Sequence, residues 1–256
     1  MTRRIFDAHL HIIDPAFPLV ANQGYVPPAF TVEDYRARAA PLGVVGGAVV
    51  SGSFQGFDQG YLVAALQRLG PSFVGVTQVP PGIADDEVLR LADAGVRAVR
   101  FNLHRGGSAG LDALESLALR VWELARWHVE LYIDAQALAP LRDRVLRLPS
   151  VVVDHLGLSQ AGLPVLLELV ESGVRVKATG FARGDLDVPR ALRAIAAANP
   201  KALLFGTDLP STRAPRPFAA SDIDLLADAL GGENARRALL DNALELYRPA
   251  GVPSYG

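Results

Sequence analysis

Apolar residues come along this chain in eight short runs. Longer stretches separate them, in which apolar positions recur every three or four residues. The runs are Arg4–His9, Gly46–Gly52, Phe73–Val79, Val96–Asn102, Val129–Ala135, Ser150–His155, Val174–Gly180 and Ala202–Asp208. Each is short and mostly apolar on both faces, the signature of strands in a covered parallel sheet. The stretches between them predict helices. Phe57–Gly70 sets Tyr61, Leu62, Ala65, Leu66 and Leu69 on one helical face. Asp85–Gly95 opens on acids and closes on glycine, a helix start and stop. Leu114–Trp127, and Leu138–Pro149 with its terminal proline, read the same way, and Asp222–Gly232 and Glu233–Tyr247 follow the last run.

Eight strands, each followed by helical sequence, predict a single (β/α)8 TIM barrel over residues 1–256, with extra C-terminal helices after strand eight. Periodicity alone leaves a doubly wound open sheet as the alternative. Two connections are long, Pro15–Phe30 and Arg213–Phe218. Both follow a strand, so in a barrel both lie on the C-terminal face, where active sites of this fold are built.

The polar residues gather at that same end. Run one carries Asp7, His9 and His11. Run two leads to Ser51 and Ser53. Run four brings Arg100 and Asn102, then His104 and Arg105. Runs five and six give Asp134, Gln136, Asp154 and His155. Runs seven and eight give Lys177, Thr179, Arg183, Thr207 and Asp208. In a regular strand, residues two apart share a face, so His9 and His11 can grip one ion or one substrate.

Composition narrows the rest. Half of the 256 residues are hydrophobic, and the net charge is −2. The chain is not basic enough to suggest nucleic acid as a partner. There is no cysteine, which excludes disulfides and thiolate metal sites. No apolar run approaches the ~20 residues that span a bilayer. The N-terminus lacks the apolar stretch of a signal peptide, so a soluble, cytoplasmic protein is expected.

FDAHLHIID (Phe6–Asp14), VRAVRFN (Val96–Asn102), VVDHLG (Val152–Gly157), VKATGFAR (Val176–Arg183) and LLFGTDLPS (Leu203–Ser211) together resemble, in this order, the amidohydrolase superfamily. They look most like its branch of 2-pyrone-4,6-dicarboxylate lactonase and related lactone hydrolases. The resemblance implies a (β/α)8 barrel and hydrolysis of a small carboxylated lactone, an anionic metabolite. It implies Asp208 as general base, with His9, His11 and His155 around the substrate carbonyl. It makes Arg100 and Arg183, and more weakly Arg105, the partners of substrate carboxylates. Ser51, Ser53 and Gln136 are then candidates for the ring oxygens. Ser211 departs from the pattern, since relatives often place a histidine there.

Two cofactor states stay open. His9, His11, His155 and Asp208 form a plausible four-ligand set for one Zn2+. A second ion is not expected, because the middle runs offer Arg100 rather than a bridging ligand. A metal-free site is the other state, with arginine supplying the positive charge. The rival functions are a zinc-dependent decarboxylase and a non-catalytic barrel that binds an anionic metabolite. Plainer roles are expected nearby: Asp7 and Asp154 as supports, His128 as a structural residue on the opposite side, and Trp122 and Trp127 as packing. Lys177 is left without a role, paired with Asp154 or Asp208 or bound to an anion.

Overall fold

The computed structural model describes residues 3–252. All eight strands form. They are β1 (Ile5–Leu10), β2 (Val44–Val50), β3 (Phe73–Thr77), β4 (Val96–Asn102), β5 (His128–Tyr132), β6 (Val151–Val153), β7 (Arg175–Ala178) and β8 (Leu203–Phe205). They pair in parallel and in sequence order, β1 next to β2 and so on to β8. This is a (β/α)8 barrel rather than an open doubly wound sheet, whose strand order would reverse part-way. The helices are α1 (Val32–Ala39), α2 (Gly60–Leu69), α3 (Asp85–Asp93), α4 (Leu114–Ala125), α5 (Arg142–Leu146), α6 (Leu163–Glu171), α7 (Val188–Ala198) and α8 (Ser221–Leu230).

The apolar pattern is read out faithfully. Tyr61, Leu62, Ala65, Leu66 and Leu69 are the buried face of α2. Strand positions divide into two layers. Val99, Leu131, Val153, Val176 and Phe205 pack outward against the helices. Phe6, Ala8, Val50, Val76, Ala98, Val152 and Leu204 pack together inside the barrel, with Leu240, Ala243 and Tyr247 from the C-terminal segment. Tyr247 stacks on Phe6 with ring centroids 5.5 Å apart.

Several expected elements differ, each for a local reason. Leu138–Pro149 does not form one helix. Pro140 lacks the N–H a helix interior needs, so a tight 3-10 segment (Ala135–Leu141) precedes a short α5. The last helical stretch divides into Gly232–Arg236, a π turn at Arg237–Asp241, and Asn242–Tyr247. Strands six and eight stop short of His155 and Asp208, because both residues take left-handed backbone angles, φ 52° and 59°, and leave the ladder.

The seam between β1 and β8 is closed by other bonds. Asp208 N–H donates to the His9 carbonyl at 2.7 Å, and His11 N–H to the Leu209 carbonyl at 2.8 Å. The Asp7 carboxylate takes the place of a further rung, accepting from the Thr207 N–H at 2.8 Å and the Thr207 hydroxyl at 2.7 Å.

Candidate active site

His9, His11 and His155 meet over the centre of the barrel. The His9 ring lies 5.0 Å from that of His11 and 4.8 Å from that of His155, centroid to centroid. Pairing of β1 with β2 is irregular between Asp7 and Leu10. There His9 turns into the mouth, while Asp7 faces α1 and accepts from the Tyr35 hydroxyl at 3.0 Å. Burial pushes the Asp7 carboxyl up to about 6, against the pull of its four donors. Asp7 is thus a support for the seam and for the His9 backbone, whose N–H it also accepts.

Asp208 completes the group. Its Oδ2 is held by Arg183, from Nε at 2.7 Å and Nη2 at 2.6 Å. Its Oδ1 has no hydrogen-bond partner and is buried. That free oxygen lies 3.9 Å from His9 Nε2 and 3.8 Å from His11 Nε2. Burial raises the Asp208 pKa above the ordinary aspartate value, and Arg183 draws part of that rise back. The histidines move the other way. Burial holds His9 and His155 well below the usual imidazole range, helped by Lys177 and Arg183 respectively. Burial, then the charge of Arg100, takes His11 down to about 3. All three rings are therefore neutral at pH 7. His11 Nδ1 lies 2.8 Å from the Val50 carbonyl and must donate to it, which leaves its Nε2 as a lone pair facing Asp208.

Each acid of the mouth has its own cation. Arg100 bonds Asp154 Oδ2 from Nε at 2.9 Å and Nη2 at 2.8 Å. Burial alone would raise Asp154, but Arg100 and Lys177 hold it well below the carboxylate range. Lys177 is fully buried and bonds Glu130, with Asp154 Oδ1 3.6 Å away. With Arg183 and Asp208, that makes three buried ion pairs.

Above this floor is a hollow of about 380 Å³, lined by His11, Ser53, Arg100, Arg105, His155 and Arg183, together with Tyr25, Tyr132 and Arg213. The two long loops cover it. Arg213, from the loop after β8, stacks 4.4 Å over the ring of Tyr25, from the loop after β1, and bonds Asn22. Gly180 lets the wall close up: a Cβ there would stand 2.8 Å from His155 Nδ1 and 2.7 Å from Arg183 Cδ.

The structure brings His9, His11, His155, Asp208, Arg100, Arg105, Arg183 and Ser53 together. It does not bring in two of the expected ring-oxygen partners. The Ser51 hydroxyl turns away to the Tyr61 hydroxyl of α2 at 2.7 Å, and only the Ser51 carbonyl is used, by Arg100. Gln136 is exposed, because Asp134 caps the 3-10 segment through the Gln136 N–H and carries the chain outward. His104 is also exposed, packed on Tyr132. His128 is buried at the start of β5, away from the mouth, and bonds Glu130 at 3.2 Å.

Glu130, Tyr132, Tyr25 and Arg213 escape a reading of the sequence. Glu130 had a signal: a lone acid between Val129 and Leu131, in the middle of an apolar strand. Tyr25 and Arg213 had none, since loop conformation alone puts them there.

His9 Nε2, His155 Nδ1 and Asp208 Oδ1 are all buried without partners. One ligand atom from each of these residues lies within 4.8 Å of the others. By donor type and spacing, this His/Asp set can accept a single metal ion, with His11 Nε2 beside it.

The chain is 30% identical over 279 aligned positions to 2-pyrone-4,6-dicarboxylate hydrolase of Comamonas testosteroni, covering 96% of this chain and 90% of that one. It is 28% identical to 4-sulfomuconolactone hydrolase of Rhizobium radiobacter, over 80% of this chain and 75% of that one. A solved apo structure from Agrobacterium tumefaciens superposes with a TM-score of 0.85 at 25% identity, covering 98% of this chain and 97% of that one. Residues 6–248 match the amidohydrolase family, and the chain belongs to that family.

Proposed function

We propose that the protein opens a small carboxylated lactone by hydrolysis, with Asp208 as the general base. The carrying observation is the split use of the Asp208 carboxylate: one oxygen is held by Arg183 and the other is free beside three neutral histidines. Both relatives named above are hydrolases, and the name of one is that of a lactone hydrolase. Arg105 and Arg213 line the hollow beside Arg100 and Arg183, which are already paired with Asp154 and Asp208, and the first two suit a substrate bearing a carboxylate.

The reaction then runs as follows. Water sits between Asp208 Oδ1 and His11 Nε2, two acceptors 3.8 Å apart that take its two hydrogens. Asp208 removes one proton as the water oxygen bonds to the lactone carbonyl carbon. The carbonyl oxygen becomes an oxyanion, stabilised by donors fixed before the reaction begins. The ring C–O bond breaks, and the proton held by Asp208 passes to the leaving ring oxygen. The products are a new carboxylic acid, which ionises to a carboxylate by releasing its proton to solvent, and a hydroxyl or enol on the same open chain.

Charge balance supports a metal-free form. Arg100, Lys177 and Arg183 already offset Asp154, Glu130 and Asp208. A dication would add uncompensated positive charge to a buried site. If bound, zinc on His9, His11, His155 and Asp208 would supply Lewis-acid polarisation of the carbonyl. A ring ester needs less activation than an amide. The test is a panel of lactones with and without ring carboxylates, assayed with enzyme of measured metal content. Turnover confined to carboxylated lactones is expected. No turnover of any lactone would overturn the proposal.

A further inference from the structure

We propose that Lys177 is a positioning residue that fixes the tautomer of His9, so that His9 presents an Nε2–H donor to the substrate carbonyl oxygen. The inference rests on the lactonase reading for the identity of that oxygen, but not for the tautomer itself.

Lys177 is fully buried on β7, at a position facing into the barrel between the outward-packed Val176 and Ala178. An ammonium carries three hydrogens and no lone pair. Three acceptors surround it. Glu130 bonds it through Oε2, His9 Nδ1 is 3.3 Å away, and Asp154 Oδ1 is 3.6 Å away. A neutral imidazole has one N–H and one lone pair, and the partner of one nitrogen decides the other. If Nδ1 accepts from Lys177, Nε2 carries the proton.

The competing arrangement has His9 Nδ1–H donating to Asp154 Oδ1, 3.5 Å away. It puts an N–H against the ammonium at 3.3 Å, a donor facing a donor. The first arrangement has no such conflict, because Lys177 then faces only acceptors: it bonds Glu130 Oε2 and His9 Nδ1, with Asp154 Oδ1 beyond hydrogen-bond reach at 3.6 Å. It also gives the unpartnered His9 Nε2 a use. As a donor it is complementary to a carbonyl oxygen and to the oxyanion that develops there. Histidines that ligate a metal normally donate their second nitrogen to a carboxylate or carbonyl. His9 has a cation at that place, which is the inverse pattern.

Lys177 is itself held from below. Tyr247 donates to Glu130 Oε1 at 2.6 Å, and His128 Nε2 is 3.2 Å from the same oxygen. Glu130 Oε2 is left to Lys177. All four side chains are buried. The chain of contacts runs up the inside of the barrel, from the C-terminal helix to the catalytic floor. It gives a function to a polar network that otherwise only burdens the core, since replacing buried ion pairs by apolar groups is often neutral or stabilising.

The experiment is long-range 1H–15N NMR of the full chain, labelled at histidine, with His9 assigned by comparison with His9→Gln. The wild-type spectrum is expected to show His9 with a protonated Nε2 and a bare Nδ1. A bare Nε2 would overturn the proposal, whatever becomes of any variant. The second arm is the double variant Lys177→Met/Glu130→Gln, which removes both charges and leaves no unpaired ion. It is expected to move His9 to the Nδ1–H form and to lower kcat about 10- to 100-fold with KM nearly unchanged. An unmoved tautomer, or a moved tautomer with unchanged kcat, overturns the positioning role. The tautomer is read without substrate, so a failure of the lactonase reading leaves this measurement intact and is recognised separately, as absence of turnover in the wild type.

Discussion

Arg183 grips a single oxygen of Asp208. Its Nε and Nη2 both reach Oδ2, at 2.7 and 2.6 Å, and Oδ1 is left bare toward His9 and His11. One side chain thus fixes the carboxylate in orientation and favours its charged form, and the oxygen proposed to take a proton stays free. The left-handed backbone at Asp208 holds this arrangement at the end of β8, outside the ladder.

Asp208→Asn keeps an oxygen for Arg183 to hold but removes the base. It is expected to lower kcat by about 10³-fold, within the usual range for general-base removal. Unfolding in urea should change little, so steady-state kinetics and a denaturation curve together separate lost chemistry from lost fold.

The proposed hydrolysis uses the ionised Asp208 carboxylate, so kcat/KM should fall as pH drops through its raised pKa. Arg183 counteracts part of that rise. Arg183→Met therefore lets the pKa rise further, and the acid limb of the pH profile should move to higher pH. A limb that moves to lower pH, or not at all, rules out Asp208 as the titrating base.

Arg105 and Arg100 should fail differently. Arg105 is only half-buried at the rim of the hollow. Arg105→Ala should raise KM for a carboxylated lactone about 10- to 100-fold, the loss of one charge-assisted hydrogen bond, and leave the melting temperature alone. Arg100→Ala strands the buried Asp154 carboxylate. It should cost about 3–5 kcal/mol of stability, seen in a denaturant titration.

Metal removal tests the charge balance. Dialysis against a strong chelator should leave lactone hydrolysis intact, and elemental analysis should find well under one zinc per chain. Activity that vanishes on chelation and returns with zinc would assign His9, His11, His155 and Asp208 as its ligands.

Gln136→Ala should leave kcat and KM unchanged, because the side chain is exposed beyond the β5 end. A rise in KM would mean that the β5–α5 connection moves into the mouth when substrate binds.

The positions of the strand ends were legible from alternating apolar runs, and that was enough to gather the histidines, Asp208 and the arginines on one face. Gln136 was misjudged because sequence distance past a strand does not tell whether the chain turns into the mouth or away from it; here the cap at Asp134 turns it away. Ser51 was misjudged for another reason. It lies at the right height, but the Tyr61 hydroxyl is the closer partner.

Local patterns determined the eight parallel strands, the covered sheet, the end at which polar side chains gather and most residues of the candidate site. These follow from periodicity and from the rule that parallel strands are buried on both faces. Tertiary structure alone decided which groups pair: Arg183 with Asp208 across two loops, Lys177 with Glu130 across the barrel, and Tyr25 with Arg213 over the mouth. The partners in each pair lie 25, 47 and 188 residues apart in a chain whose spacing carries no record of distance in space. Only closure of the barrel turns a list of polar strand ends into three ion pairs and a bare Asp208 oxygen facing the histidines.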